Sequence, residues 1–379
     1  MRNSRLDCLR FIGVALTLVN HLSISGNSSF DRFLGFWHTG GWIGVDLFFV
    51  LSGFLVSGLI FKEVDAYHTF RPGQFLIRRG FKIYPAYYLF ILVSFAFPLY
   101  FTKTHFRPDP SAIIHEMLFV SNYLSSYSGW LWSLCVEEHF YIFLSILFYL
   151  LVRWGKLQFK PLLTVYLLLL AIGFGFRLYN YLAYGAFSFA QSHIRFDALF
   201  AGVLLYWVYD YRKDLIQKFL SGRLNVFLLV AGSLYLLTDF IFPRETNPWL
   251  SVVNLAVHPW IFGLILINFL DYKSVRVDSF IRPMAYIGKY SYPIYLFHGF
   301  VNGLLLSRFH GPVYYLLFFI LAIVVGIIVS KTIEYPFLKL RDRWFPSRSK
   351  KLIETPVMEG ASQGDGLPVL AATRVGSSV

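Results

Sequence analysis

Charge is scarce in this chain. Asp, Glu, Lys and Arg make up 15% of its 379 residues, against 56% hydrophobic residues and a mean hydropathy of +0.57. A soluble domain of this length has no interior able to hide that much apolar surface, so the composition predicts an integral membrane protein. Cysteine is almost missing: Cys8 and Cys135, both at or near apolar runs, imply neither a disulfide framework nor a cysteine metal site and read as packing residues. The ten histidines contain no His-x-x-x-His or comparable pairing, so no metal is expected. No internal repeat and no second domain stand out. Aromatics reach 20% but are too dispersed for a nucleic-acid stacking surface. They suit helices packed in lipid and anchored at its interfaces.

Apolar runs fall at residues 9–24, 41–61, 83–101, 133–152, 161–183, 197–209, 224–242, 252–270, 290–307 and 313–333. They predict an all-α bundle of about ten transmembrane spans, the sixth being short. The connecting segments alternate in basic content. One set holds Arg2, Arg5 and Arg10, then Lys62 to Lys82, Arg153 to Lys160, Arg212 to Arg223, Lys273 to Lys289 and the tail from Lys339; the other holds a few scattered arginines and Lys103. This alternation predicts that both termini are cytoplasmic and accounts for most of the formal net charge of +13 as topological bias. The first run lacks a cleavage site of small residues and is interrupted by Arg10 and His21, so it reads as retained. Residues 1–344 form the expected transmembrane domain; residues 345–379, basic and then rich in Gly, Ser, Pro and Thr, form an expected disordered cytoplasmic tail.

Polar residues inside these runs are the functional candidates. Arg10 and His21 stand eleven residues apart, which at about 100° and 1.5 Å per residue returns to nearly the same helix face roughly 16 Å deeper. Asp7 and Thr17 fall close to the same stripe. The alternative is that Arg10 snorkels to the interface and His21 bonds a neighbouring helix. Asp46 lies in a run whose glycines, Gly41, Gly44 and Gly53, favour close helix packing, and its carboxylate needs an Arg, a His or a helix N-terminus.

Arg78, Arg79 and Lys82 end the first basic loop and, with Arg10, form a cationic mouth suited to phosphates, or equally to anionic lipid. Ser133, Glu137 and Tyr141 share one face of the fourth run, Arg195 and Asp197 read as an ion pair opening the sixth, and Ser291, Tyr295 and His298 align in the ninth. Glu334 ends the tenth run, where an arginine of the mouth is its expected partner.

Taken together, these segments resemble the membrane acyltransferase 3 family from Arg5 to about Arg343. The family's Arg, ten residues, His pattern is met by Arg10 and His21, and its GVDxFFxLSGF block by Gly44 to Phe54. Its RRxxRIxP block is met by Arg78 to Pro85 with Lys82 replacing the last arginine, which keeps the charge but loses the bidentate fork. WSLxVEEQFY stands as Trp132 to Tyr141 with His139 for glutamine, RxDAL as Arg195 to Leu199, GxxSYxxYLxH as Gly288 to His298, and ExPF as Glu334 to Phe337.

The resemblance implies transfer of an acyl group, most often acetyl, from cytoplasmic acyl-coenzyme A to a hydroxyl of a glycan or other small acceptor. A bacterial inner membrane is the implied location and no cofactor is permanently bound. In that scheme Arg10, Arg78, Arg79 and Lys82 hold the nucleotide end and His21 acts as general base, a transient acyl-histidine being the variant. Glu137 or Asp46 would orient the imidazole or the acceptor; Asp46, Ser133, Arg195, Asp197, Ser291, His298 and Glu334 make the supporting polar network. Some members carry an extra extracytoplasmic hydrolase-like domain, for which this chain leaves no room, so the bundle or a separate protein is expected to handle the acceptor. Two rival classes are a transporter or flippase for an anionic or saccharide solute, which would give flux without a covalent product, and a scaffold of a glycan-export complex, which would tolerate loss of Arg10 and His21.

Overall fold

The computed structural model describes residues 3–24, 28–96, 110–185, 189–272, 274–306 and 308–347, and among them it contains no β-strand. Residues 97–101 of the third predicted run, and the tail from residue 348, lie outside the described residues. Helix α1 (Ser4–Asn20) starts where the Asn3 side chain accepts hydrogen bonds from the Arg5 and Leu6 amides, an N-cap that satisfies two otherwise orphaned donors. It stops at His21, whose N–H turns back onto the Leu18 carbonyl while the Leu22 N–H takes that of Val19. There follow α2 (Ser29–Gly40), α3 (Ile43–Tyr67), α4 (Pro72–Ala96), α5 (Pro110–Met117), α6 (Trp132–Arg153), α7 (Phe159–Tyr184) and α8 (Phe196–Tyr211). The second half continues with α9 (Lys213–Leu220), α10 (Arg223–Leu236), α11 (Thr238–Ile241), α12 (Pro248–Asp271), α13 (Val275–Gly288), α14 (Ser291–Leu306), α15 (Gly311–Val329) and α16 (Tyr335–Trp344).

Among the described residues six helical segments are long and apolar enough to cross a membrane: α3, α6, α7, α10 with α11, α12, and α15 continuing into α16. The other four predicted runs fall on α1 (17 residues), α8 (16), α14 (16) and α4, which carries Arg78, Arg79 and Lys82 in its first half. Three of these are shorter than the roughly 20 residues of a full crossing, and the fourth spends its length on charge. Apolar side chains on the outer surfaces of the bundle stay uncovered, with Leu168 of α7 58%, Phe227 of α10 66% and Leu316 of α15 62% exposed, as lipid-facing positions require.

At the centre stands α3, hydrophobic around nearly its whole circumference and therefore buried on most sides. It packs on α8, α1 and α12. The crossing with α8 is a backbone-to-backbone approach: a methyl on Gly53 would run into the Leu199 carbonyl oxygen, and one on Gly202 into that of Val50. Only small residues allow this. Between α15 and α16, Ser330–Glu334 form a π-helical turn, held by the Ser330 hydroxyl donating to the Glu334 carboxylate at 2.7 Å. Such a turn re-aims a side chain without ending the helix.

Candidate active site

Arg10, Lys82, Lys289 and Glu334 converge at one end of the bundle, its basic end, around a mouth of about 650 Å³ including space open to solvent. The mouth shares Arg10, Leu55 and Lys82 with a shaft of about 870 Å³, likewise including space open to solvent, between α1, α3, α4, α6 and α14. Arg79, Ser133, Glu137, Tyr141, Ser291 and Tyr295 line the shaft. Val45 and Tyr295, in turn, are walls common to the shaft and to a chamber of about 590 Å³ towards the far end, which contains His21. A basic entrance, a mixed polar and apolar shaft and a histidine chamber thus follow one another through the molecule.

The polar stripe of α1 runs along this series. Arg10 is tied to Asp7 at 2.5 Å and lines mouth and shaft, while His21 lies in the far chamber. The His21 Nδ1 faces the Thr17 carbonyl oxygen at 2.9 Å. A carbonyl only accepts, so this partner assigns the proton to Nδ1 and leaves the Nε2 lone pair available as a base. Behind His21 lies His298, ring centroid to ring centroid 4.7 Å and edge-on. Its Nδ1 is likewise bound to a carbonyl, that of Tyr295, and its buried Nε2 has no hydrogen-bond partner among the described residues.

Tyr295 itself is fixed at both lone pair and proton. Its hydroxyl donates to the Trp130 carbonyl at 2.6 Å and, having spent its one proton there, accepts from Ser133 at 2.6 Å. Glu137 accepts from Ser52 at 3.0 Å and from Tyr141 at 2.7 Å, and the Arg79 guanidinium lies 5.5 Å from the Tyr141 ring centroid. The structure therefore brings Arg10, Arg79, Lys82, Ser133, Glu137 and Ser291 into the mouth and shaft. Arg78 points elsewhere: it donates to the Phe345 carbonyl and pairs with Asp342 at 3.2 Å, fastening α4 to the end of α16. Glu334 accepts from Ser330 and lines the mouth beside Lys82 and Lys289.

Two further expectations are overturned, the second of them in part. Arg195 and Asp197 are not an ion pair, because a half-turn of helix aims them at different neighbours. Arg195 pairs with Asp46 across the bundle, and Asp197 pairs with Arg177 of α7 at 2.5 Å. Of the expectation that Glu137 or Asp46 orients the imidazole or the acceptor, the first half fails, because the His21 ring is held by the Thr17 carbonyl of its own helix. Asp46 is instead committed to Arg195 and to His258, which approaches it at 2.7 Å through Nδ1 and Asp239 at 2.9 Å through Nε2. With a carboxylate oxygen opposite each ring nitrogen, His258 is held as the doubly protonated cation. The four charges of Asp46, Asp239, Arg195 and His258 compensate one another in the buried interior, as uncompensated ones there would be prohibitively costly.

His258, Asp239 and Arg244 escaped the reading of the sequence. His258 carried a signal, being an ionisable residue within an apolar run. Asp239, inside the seventh run, carried the same signal; Arg244 sits in the connection after that run, with nothing local to distinguish it. The structure puts Arg244 in the wall of the His21 chamber.

The profile of one family, described as an acyltransferase domain, matches residues 3–331. Peptidoglycan O-acetyltransferase OatA of Listeria monocytogenes is 27% identical over 321 residues, covering 77% of this chain and 48% of that protein. O-acetyltransferase OatA of Staphylococcus aureus is 26% identical over 384 residues, covering 91% of this chain and 59% of its own length. The chain thus spans about half to three fifths of the curated relatives it matches. No solved structure matches it. The family match across nearly all the described residues, together with the apolar helices, makes this chain an integral, multi-pass member of the membrane acyltransferase 3 family.

Proposed function

We propose that this protein is a membrane O-acyltransferase that takes an acyl group, acetyl in the first instance, from cytoplasmic acyl-coenzyme A and passes it to a hydroxyl of a saccharide or related small acceptor. The carrying observation is that Val45 and Tyr295 are walls of both the shaft, entered past Arg10 and Lys82, and the chamber that holds His21. A slender pantetheine arm fits such a shaft, while its polyanionic nucleotide end remains among Arg10, Arg79, Lys82 and Lys289, where phosphates gain charge-assisted hydrogen bonds. The thioester then arrives at the Tyr295 boundary, and the acceptor approaches from the chamber.

His21 Nε2 takes the acceptor proton as that oxygen attacks the thioester carbonyl; the C–O bond forms, the C–S bond breaks, and the departing sulfur recovers the proton from the imidazolium. General-base assistance of this kind is worth roughly 10²- to 10⁴-fold. Glu137, held by Ser52 and Tyr141, fixes the shaft wall rather than the base. The basic end faces the cytoplasm by the positive-inside rule, with both termini on that side, in a bacterial inner membrane. Ten crossings result when α1, α4, α8 and α14 join the six long segments. Relatives named O-acetyltransferase favour acetyl as the group moved. The test is mass spectrometry of saccharide incubated with isotopically labelled acetyl-coenzyme A and the purified protein in nanodiscs: labelled ester on the saccharide supports the reading, and solute flux with no covalent product replaces it with a transporter.

A further inference from the structure

Resting on the reading of the His21 chamber as the acceptor's place, we infer that the acceptor is an acidic saccharide, and that Arg244 is the residue that reads its negative charge. Arg244 belongs to the connection between α11 and α12 and lines the same chamber as His21. Its guanidinium carbon lies 4.8 Å from the Phe189 ring centroid and 5.6 Å from that of Trp42, so the head group packs against two aromatic side chains. Packing of this kind fixes an arginine in one orientation before any ligand arrives.

The Nε atom is engaged by Glu245 at 3.0 Å, but Glu245 is 69% exposed and is not part of the chamber wall, so water screens that pair. The two terminal nitrogens make no hydrogen bond among the described residues. They offer a two-pronged donor set that matches a carboxylate or a phosphate. Elsewhere in the lining the one carboxylate among the described residues is Asp46, already compensated by Arg195 and His258. The chamber is consequently biased towards an anion. Trp130 and Trp132 supply flat apolar walls on which the C–H faces of a sugar ring pack, completing a site for a ring with an acidic substituent.

Calorimetric titration of the full chain in nanodiscs, without donor, tests this with three probes: methyl glucuronide, methyl glucoside 6-phosphate and neutral methyl glucoside. Both acidic probes, or whichever geometry the fork accepts, are expected to bind about tenfold or more tightly than the neutral one, as for other charge-assisted pairs. The order of the two acidic probes separates a carboxylate from a phosphate source. Arg244→Gln is expected to erase the preference while neutral sugar binds as before; Arg244→Lys, which keeps the charge, retains a smaller preference; Glu245→Gln, which frees Nε, enlarges it. Equal binding of all three probes by the wild type, absence of binding included, or an undiminished preference in Arg244→Gln, overturns the inference. Acyl transfer measured separately keeps the two ideas apart: preference without transfer would defeat the enzymatic reading alone, and transfer without preference this inference alone.

Discussion

The imidazoles of His21 and His298 meet edge-on with centroids 4.7 Å apart, each with Nδ1 tied to a backbone carbonyl. The first ring lines the chamber, and the second, fully buried, backs it. We propose that His298 acts as a positioning residue for His21. Replacing it by Ala removes this support and lets the His21 ring sample other rotamers. The expected result is a fall in the rate of transfer of about tenfold, or ~1.4 kcal/mol of barrier, with the Michaelis constant for acyl-coenzyme A unchanged. An unaltered rate would show that the edge-on contact is only packing.

The compensated cluster of Asp46, Arg195, His258 and Asp239 gives a prediction about stability. Asp46→Ala leaves two buried cations facing one carboxylate, and breaking a buried pair from one side costs about 3–5 kcal/mol. Melting of the detergent-solubilised protein should shift sharply downward, and folded yield should drop. If Asp46→Ala melts with the wild type, the cluster is not what holds α3 to α8 and α12.

At the basic end three neighbouring cations have different surroundings. Lys82 and Arg79 line the shaft, whereas Arg78 is spent on Asp342 and the Phe345 carbonyl. Lys82→Ala and Arg79→Ala are each expected to raise the Michaelis constant for acyl-coenzyme A about tenfold, the scale of one charge-assisted phosphate contact, and to weaken its salt dependence. Arg78→Ala should change it far less. Steady-state kinetics across a salt series would decide, and equal effects from all three would refute the distinction.

Gly53 gives a structural prediction with an internal control. A methyl there collides with the Leu199 backbone, so Gly53→Ala should abolish the folded monodisperse peak in size-exclusion chromatography, while Gly175→Ala, with open space around it, should leave that peak intact. A normal profile for Gly53→Ala would mean that α3 and α8 do not approach so closely.

Much of this arrangement was legible in the sequence because a membrane makes polar residues conspicuous. Asp46 announced that it needed a cationic partner, and Ser133, Glu137 and Tyr141 announced a common face, simply by helical spacing in apolar runs. The stripe from Arg10 to His21 likewise survives folding as a line along successive cavities. What the sequence withheld is whatever depends on how two distant helices are turned towards each other. Arg195 and Asp197 are two residues apart and look like a pair, yet a helix sends side chains at that spacing to different sides. His258 meets Asp46 from 212 positions away. Arg244 has no periodic neighbour at all, and its place in the chamber wall follows only from the approach of its connection to Trp42 and Phe189.

We propose that His21 is the base at the meeting of donor shaft and acceptor chamber. The most direct measurement is the initial rate of acyl transfer by His21→Ala in nanodiscs, alongside its affinity for acyl-coenzyme A and its melting temperature. Affinity and melting close to the wild type, with a rate reduced by roughly 10²-fold or more, is the predicted result. Transfer at the wild-type rate by a folded His21→Ala protein would contradict it.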